Sequence, residues 1–176
     1  MKDTGLNSNS TPKYFYDSIT DISPADIIKM GGKAIGIDLD NTTVYDSTLQ
    51  LFKGVSKWLE DMKKAGIPII IVTNTYNIRA KLIAKKMGNL PFISDANKPE
   101  KACFIKACEM AGGIKLNEFV MIGDQLFTDI QGANNVGAIS VRVKYKAREV
   151  VLFPYFISIR KKEKLYLESK GLGDKI

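Results

Sequence analysis

Along the chain, short unbroken apolar runs alternate with longer stretches in which apolar residues recur every three or four positions. Residues 33–39 (KAIGIDL) form the first run, a short strand that leads into Asp38 and Asp40. Within 47–65, Val55, Trp58, Leu59 and Met62 fall at i, i+3, i+4 and i+7 on one helical face, and Gly66 supplies a C-terminal stop. Residues 67–72 (IPIIIV) are apolar on both faces, as an interior parallel strand must be, with Pro68 at the start where a missing N–H costs little. The alternation continues with a helix over 76–87, a minimal strand at 92–93, a helix over 99–111, a strand over 118–122, a short helix over 127–134 and a strand over 138–143. This repeated order predicts an α/β fold, a three-layer doubly wound parallel sheet of about five strands.

Residues 1–32 break the pattern. They are polar, carry Pro12 and Pro24 and only scattered apolar anchors, and read as a loose lead-in holding one short helix over 24–30 capped by Ser23. The expected organisation is therefore a lead-in over 1–32, a core over 33–146, and a basic, aromatic extension over 147–176 packed on or beside the core. A chain of 176 residues leaves no room for a second full-sized domain.

Charge and composition narrow the chemistry. A formal net charge of +7 favours partners that carry phosphate. The absence of histidine removes Ser-His-Asp triads, histidine bases and histidine-bearing metal sites, so reactivity must rest on carboxylates, hydroxyls and amines. Cys103 and Cys108 lie five apart in a helical stretch, too far round the helix to pair, and are expected to be free thiols. With no disulfide framework, no signal-peptide pattern and no apolar run long enough to span a bilayer, the cytoplasm is the expected compartment.

In a parallel sheet the side chains just beyond the strand ends converge on one crevice. Here they are Asp38, Asp40 and Thr42 (DLDNT) after the first strand, Thr73 and Asn74 (VTNT) after the second, Lys98 (NKPEK) before the third helix, and Asp124 and Asp129 (GDQLFTD) after the fourth strand. Clustered carboxylates are tolerable when a divalent cation lies between them, and an all-oxygen set favours Mg²⁺. A lysine beside them balances an incoming phosphate. Of the two aspartates at 38 and 40, one can attack phosphorus while the other handles the leaving-group proton.

The four motifs, in this order and over residues 35–142, resemble those of the haloacid dehalogenase (HAD) superfamily of aspartate-nucleophile phosphatases, most closely its small members similar to phosphatidylglycerophosphatase. The resemblance implies strand order 3-2-1-4-5, Asp38 as the nucleophile that becomes an aspartyl-phosphate, and Asp40 as general acid and later base. It further implies Mg²⁺ held by Asp38, Asp124 and the backbone carbonyl of Asp40, with Asp129 steadying the metal shell. Thr73 and the Asn74 N–H would hold phosphate oxygens, Lys98 would stabilise phosphate and Asp38, and Thr42 would support the loop. Two departures from the closest group, Thr43-Val44-Tyr45 after DLDNT and Thr-Asn-Thr in the second motif, bear on the leaving group rather than on the reaction.

The spacings between motifs are consumed by single helices and strands, so no cap domain fits and an open site is expected, suited to a bulky substrate. Arg142, Lys144, Lys146 and Arg148 precede an apolar stretch over 150–159 that carries Phe153, Tyr155 and Phe156, and Arg160, Lys161, Lys162 and Lys164 follow it. Such a segment suits peripheral contact with an anionic membrane face, or plain packing on the core, and Pro154 argues against one long helix through it. The favoured expectation is a Mg²⁺-dependent phosphomonoesterase acting on phosphatidylglycerophosphate, an anionic lipid headgroup. Its alternatives are a phosphatase of nucleic-acid ends or phosphoproteins, and a non-enzymatic phospho-acceptor or scaffold on the same fold.

Overall fold

The computed structural model describes residues 9–144 and 154–175. Six parallel strands form its sheet: β1 (Tyr14–Tyr16), β2 (Ala34–Ile37), β3 (Ile69–Val72), β4 (Phe92–Ile93), β5 (Phe119–Gly123) and β6 (Ile139–Val143), in the spatial order β1-β6-β5-β2-β3-β4. Strands β2 to β6 reproduce the expected 3-2-1-4-5 order. The sixth is a correction, because the lead-in expected to be loose supplies β1, which pairs in parallel with β6 from Tyr14 opposite Val141 to Tyr16 opposite Val143.

Every residue of β2, β3, β5 and β6 is buried, which accounts for their unbroken apolar runs. One face of the sheet, with Ile35, Ile37, Ile69 and Ile71, packs on α2 (Val55–Lys64) and α3 (Asn77–Lys86) through Trp58, Leu59, Met62 and Ile83. The opposite face, with Ile70, Val72, Phe119 and Met121, packs on α4 (Lys101–Met110) through Phe104 and Ala107, and on Ala133 of α5 (Gln131–Asn135). Gly36 is required at the centre of β2, since a Cβ there would stand 2.5 Å from the Phe119 ring. The lead-in also builds α1 (Pro24–Lys29), where Ser23 and Asp26 form a reciprocal capping box, and the Trp58 indole donates to Ile22 O at 2.8 Å.

The helix predicted over 47–65 starts only at Val55. Ser47 and Gly54 both take left-handed φ values, 58° and 91°, which a helix cannot contain, and the chain from Asp40 to Leu51 instead folds back through bridges Asp40–Val44 and Val44–Leu51. Beyond β6, α6 (Pro154–Ser169) is helical throughout its described length, which begins at Pro154. Tyr166 and Leu167 of α6 pack with Leu126 and Ile130 in a third apolar cluster. Lys146, Arg148 and residues 150–153 of the basic, apolar tail lie outside the described residues, as do the side chains of Tyr155 and Phe156. Among the described residues no helix is long and apolar enough to cross a membrane.

Candidate active site

Because β2, β3 and β5 are parallel neighbours, their C-terminal ends share one edge of the sheet, and Asp38, Thr73 and Asp124 follow them directly. The Asp38 N–H continues the ladder, donating to Ile122 O at 3.0 Å. Lys98 enters from the loop before α4. Its ammonium donates to Asp38 Oδ1 at 2.6 Å and to Val72 O at 2.6 Å, and forms an ion pair with Asp129 Oδ1 at 2.6 Å. Asn74 positions this lysine: its Oδ1 accepts the Lys98 N–H at 2.8 Å and its Nδ2 donates to Lys98 O at 3.2 Å. Asp129 is seated by the Gln125 N–H at 3.1 Å, and Gly123 leaves the space, since a Cβ there would come within 2.3 Å of the Asp129 carboxyl carbon.

Asp38, Lys98, Asp124 and Asp129 are all buried. Burial pushes Asp38 upward against the pull of Lys98, and the nearby carboxylates of Asp124 and Asp40 push the same way. Burial first, then neighbouring acids, carries Asp124 up to about 6; burial and Asp38 carry Asp129 up to about 6. Burial alone would lower Lys98, but Asp129 and Asp38 outweigh it and hold the ammonium above its ordinary range.

Carboxylate oxygens of Asp38, Asp124 and Asp129 lie within 4.8 Å of one another, and Asp124 Oδ1 is buried with no hydrogen-bond partner. An all-oxygen donor set with an unsatisfied buried oxygen fits a hard divalent cation such as Mg²⁺. Asp129 thus stands in the carboxylate group itself, closer in than the sequence expectation placed it. The Asp40 carboxylate is not in this group.

Asp40 turns instead to Arg79, whose Nη1 and Nη2 donate to Oδ2 at 2.7 Å and to Oδ1 at 2.6 Å. The Thr75 hydroxyl adds a bond to Oδ2 at 2.8 Å and the Ser47 N–H one to Oδ1 at 3.1 Å, so four donors converge on one carboxylate. Arg79 also donates to Thr48 O at 2.7 Å, tying the loop after Asp40 to α3. Sequence reasoning missed Arg79 and Thr75. The available signal was a single arginine on the inward face of α3, beside Ala80 and Ile83.

The Thr73 hydroxyl accepts the Thr75 N–H at 3.2 Å. The loop support expected of Thr42 comes from its neighbour: the Thr43 hydroxyl donates to Asp38 O at 3.1 Å and to Leu39 O at 3.2 Å, whereas Thr42 Oγ1 is buried without a partner. Two cations at Asp124 were also missed. Arg160 of α6 pairs with Asp124 Oδ2, and Arg142 Nε donates to Asp124 O at 3.2 Å. In sequence the basic residues after 159 suit membrane contact or plain packing on the core, yet Arg160 reaches Asp124. With α6 on one side and the loop after Asp40 on another, the site is recessed rather than open, Asp38 being only 7% exposed.

Cys103 and Cys108 are free and buried, and burial raises both thiols, Cys108 to about 11, so neither offers a thiolate.

The model of haloacid dehalogenase-like hydrolases matches residues 25–137. The chain belongs to that family. It is 36% identical over 126 residues to the probable phosphatase YqeG of Bacillus subtilis (strain 168), covering 72% of each chain. It is 35% identical over 100 residues to the glyceraldehyde 3-phosphate phosphatase of Pyrococcus furiosus, covering 52% of this chain and 41% of that one. Among solved structures, a predicted phosphoglycolate phosphatase from Haemophilus somnus 129pt superposes with a TM-score of 0.57 at 17% identity, over 65% of this chain and 86% of that one. As a HAD-family phosphatase of YqeG-like sequence, the chain acts on phosphorylated substrates.

Proposed function

We propose that the chain is a Mg²⁺-dependent phosphomonoesterase that works through an aspartyl-phosphate on Asp38, with phosphatidylglycerophosphate as its substrate. The observation that carries this reading is the contact of Lys98 with Asp38 beside three carboxylates grouped closely enough to share one cation.

In this reading Asp38, Asp124 and the backbone carbonyl of Asp40 would hold Mg²⁺, with the Asp129 carboxylate grouped beside them to steady it. Bound there, the cation screens the charge of the phosphate and of the attacking carboxylate. Lys98 adds a fixed positive charge at Asp38, and the Thr73 hydroxyl with the Asn74 N–H takes phosphate oxygens. A carboxylate oxygen of Asp38 attacks phosphorus as the bond to the leaving oxygen breaks, and Asp40 supplies the proton that this oxygen needs. Water then attacks the phosphorus of the aspartyl-phosphate, Asp40 takes the proton it loses, and Asp38 and inorganic phosphate are released. The four donors on Asp40 fix the direction in which that carboxylate is presented.

The lipid headgroup is supported by resemblance and by one surface. On α3, Ile78 and Leu82 are 71% and 47% exposed, Tyr76 just before the helix is 60% exposed, and Lys81 and Lys85 continue the same stripe at helical spacing. The helix carries no acid, and it starts at the rim that bears Thr73 and Asn74. An apolar stripe flanked by lysines suits the headgroup zone of an anionic membrane. The test is phosphate release from phosphatidylglycerophosphate in vesicles, 3′-phosphorylated oligonucleotides and a phosphopeptide, with Mg²⁺ and with Asp38→Asn as the blank. Preference for an oligonucleotide or peptide would reject the lipid assignment, and turnover by the Asp38→Asn protein would reject the mechanism.

A further inference from the structure

The carboxylate of Asp124 faces two different environments. Oδ2 is paired with Nη2 of Arg160, while Oδ1 is buried and without a hydrogen-bond partner, and the carboxylate contributes one oxygen to the group formed with Asp38 and Asp129. Arg160 lies outside residues 25–137, the part of the chain by which the family is recognised. It reaches the site because α6 folds back over the turn that follows β5.

Arg160 is itself held. Glu163, three residues on and 1% exposed, accepts Arg160 Nη1 on Oε2 at 2.7 Å and the Leu126 N–H on Oε1 at 2.7 Å. The guanidinium therefore sits between two carboxylates, and the helix that carries it is bonded to the turn that carries Asp124. A carboxylate left to itself rotates about Cβ–Cγ and offers either oxygen. Paired on one side, it offers only the other.

We propose that Arg160 is a positioning residue of the cation site: it holds Asp124 Oδ2 so that the unpartnered Oδ1 is kept for the cation that Asp124 would share with Asp38 and Asp129. The inference rests on the reading that Asp124 ligates Mg²⁺. Outer partners that fix a metal-ligating side chain typically change metal affinity 10- to 100-fold when removed. A guanidinium that acted only as a nearby positive charge would have the opposite effect, since its removal would relieve repulsion of the cation and tighten binding.

The sign of the change in cation affinity therefore separates the two roles. Mn²⁺ binding to the full chain is titrated by electron paramagnetic resonance of the free ion, with Mg²⁺ as competitor, for the unaltered protein, Arg160→Met and Arg160→Lys. Circular dichroism checks that each is folded. Arg160→Met is expected to bind Mn²⁺ roughly 10- to 100-fold more weakly. Arg160→Lys, which keeps the charge but lacks the rigid fork, is expected to recover only part of the loss. Unchanged or tighter binding in folded Arg160→Met, or full recovery in Arg160→Lys, would overturn the assignment while leaving the metal reading in place. Should Arg160→Met not fold, Arg160→Lys alone decides: weaker binding than in the unaltered protein supports the positioning role, and equal binding overturns it. Absence of Mn²⁺ binding by the unaltered protein would overturn the metal reading, and this inference with it.

Discussion

Arg79 grips Asp40 with both arms of its guanidinium, at 2.6 and 2.7 Å, and with a third bond holds the loop that Asp40 begins. The Asp40 carboxylate is thus aimed chiefly by the neighbouring strand-helix unit, with one bond from its own loop, the Ser47 N–H. Replacing Arg79 by Gln is expected to lower kcat by about 100-fold, the scale on which one positioned proton-transfer group acts. Arg79→Lys is expected to recover little, because a point charge cannot bridge two oxygens in a plane. Steady-state phosphate release on folded protein checks both.

Lys98 is the cation shared by Asp38 and Asp129. Lys98→Met leaves two carboxylates buried without that partner, a kind of change that costs about 3–5 kcal/mol. Urea unfolding in EDTA should show a loss of that order, with Mg²⁺ recovering part of it and activity remaining absent. A variant as stable as the original would show that the three buried charges are compensated elsewhere.

The raised acids give stability a definite dependence on pH. Asp124 and Asp129 each have a folded-state value of about 6 against an ordinary value of 3.8, so folding favours their protonated forms. Their contribution is fully present below about pH 4 and is lost as pH rises through about 6. For one such group the loss is at most about 3 kcal/mol. In EDTA, Asp124→Asn is therefore expected to be more stable than the unaltered chain at pH 7.5 and to lose that advantage by pH 4. Denaturant midpoints across this range provide the measurement.

Gly123 makes room for Asp129. An alanine there would drive its Cβ to within 2.3 Å of that carboxyl group, which must then leave Lys98 or push β5 aside. A destabilisation of about 1–3 kcal/mol, the usual cost of overpacking, is expected together with weaker Mn²⁺ binding.

The α3 stripe gives the lipid reading its own test. Ile78→Ser with Leu82→Ser is expected to reduce sedimentation with phosphatidylglycerol vesicles several-fold, with hydrolysis of a small soluble phosphate ester unchanged. Equal sedimentation would rule out the stripe as the membrane-facing surface.

The inner sheet was legible because burial on both faces writes itself as IPIIIV and FVMIG, and parallel order then places whatever follows each strand at one edge. That is why Asp38, Thr73, Lys98 and Asp124 could be placed from sequence. The edge strand Tyr14–Tyr16 was not legible, since three residues with only partial burial leave no periodic signal. Nor were Arg79 and Arg160, whose partners stand 39 and 36 residues away along the chain. A charged side chain looks solvated until a long-range contact claims it, and no local pattern reports such contacts. The helix predicted to begin at 47 failed for a local reason: positive φ at Ser47 and Gly54 outweighs amphipathic spacing.

Tyr166 of α6 binds the start of the described chain, its hydroxyl accepting the Ser10 N–H at 3.2 Å and lying 2.8 Å from Thr11 Oγ1. The two flanks of the family-defining segment are thereby clasped to each other, and one of them also carries the arginine at Asp124. Grafting this reaction onto a relative, or trimming the enzyme to a minimal unit, must carry both flanks together. The recognisable segment is smaller than the folded unit that contains it.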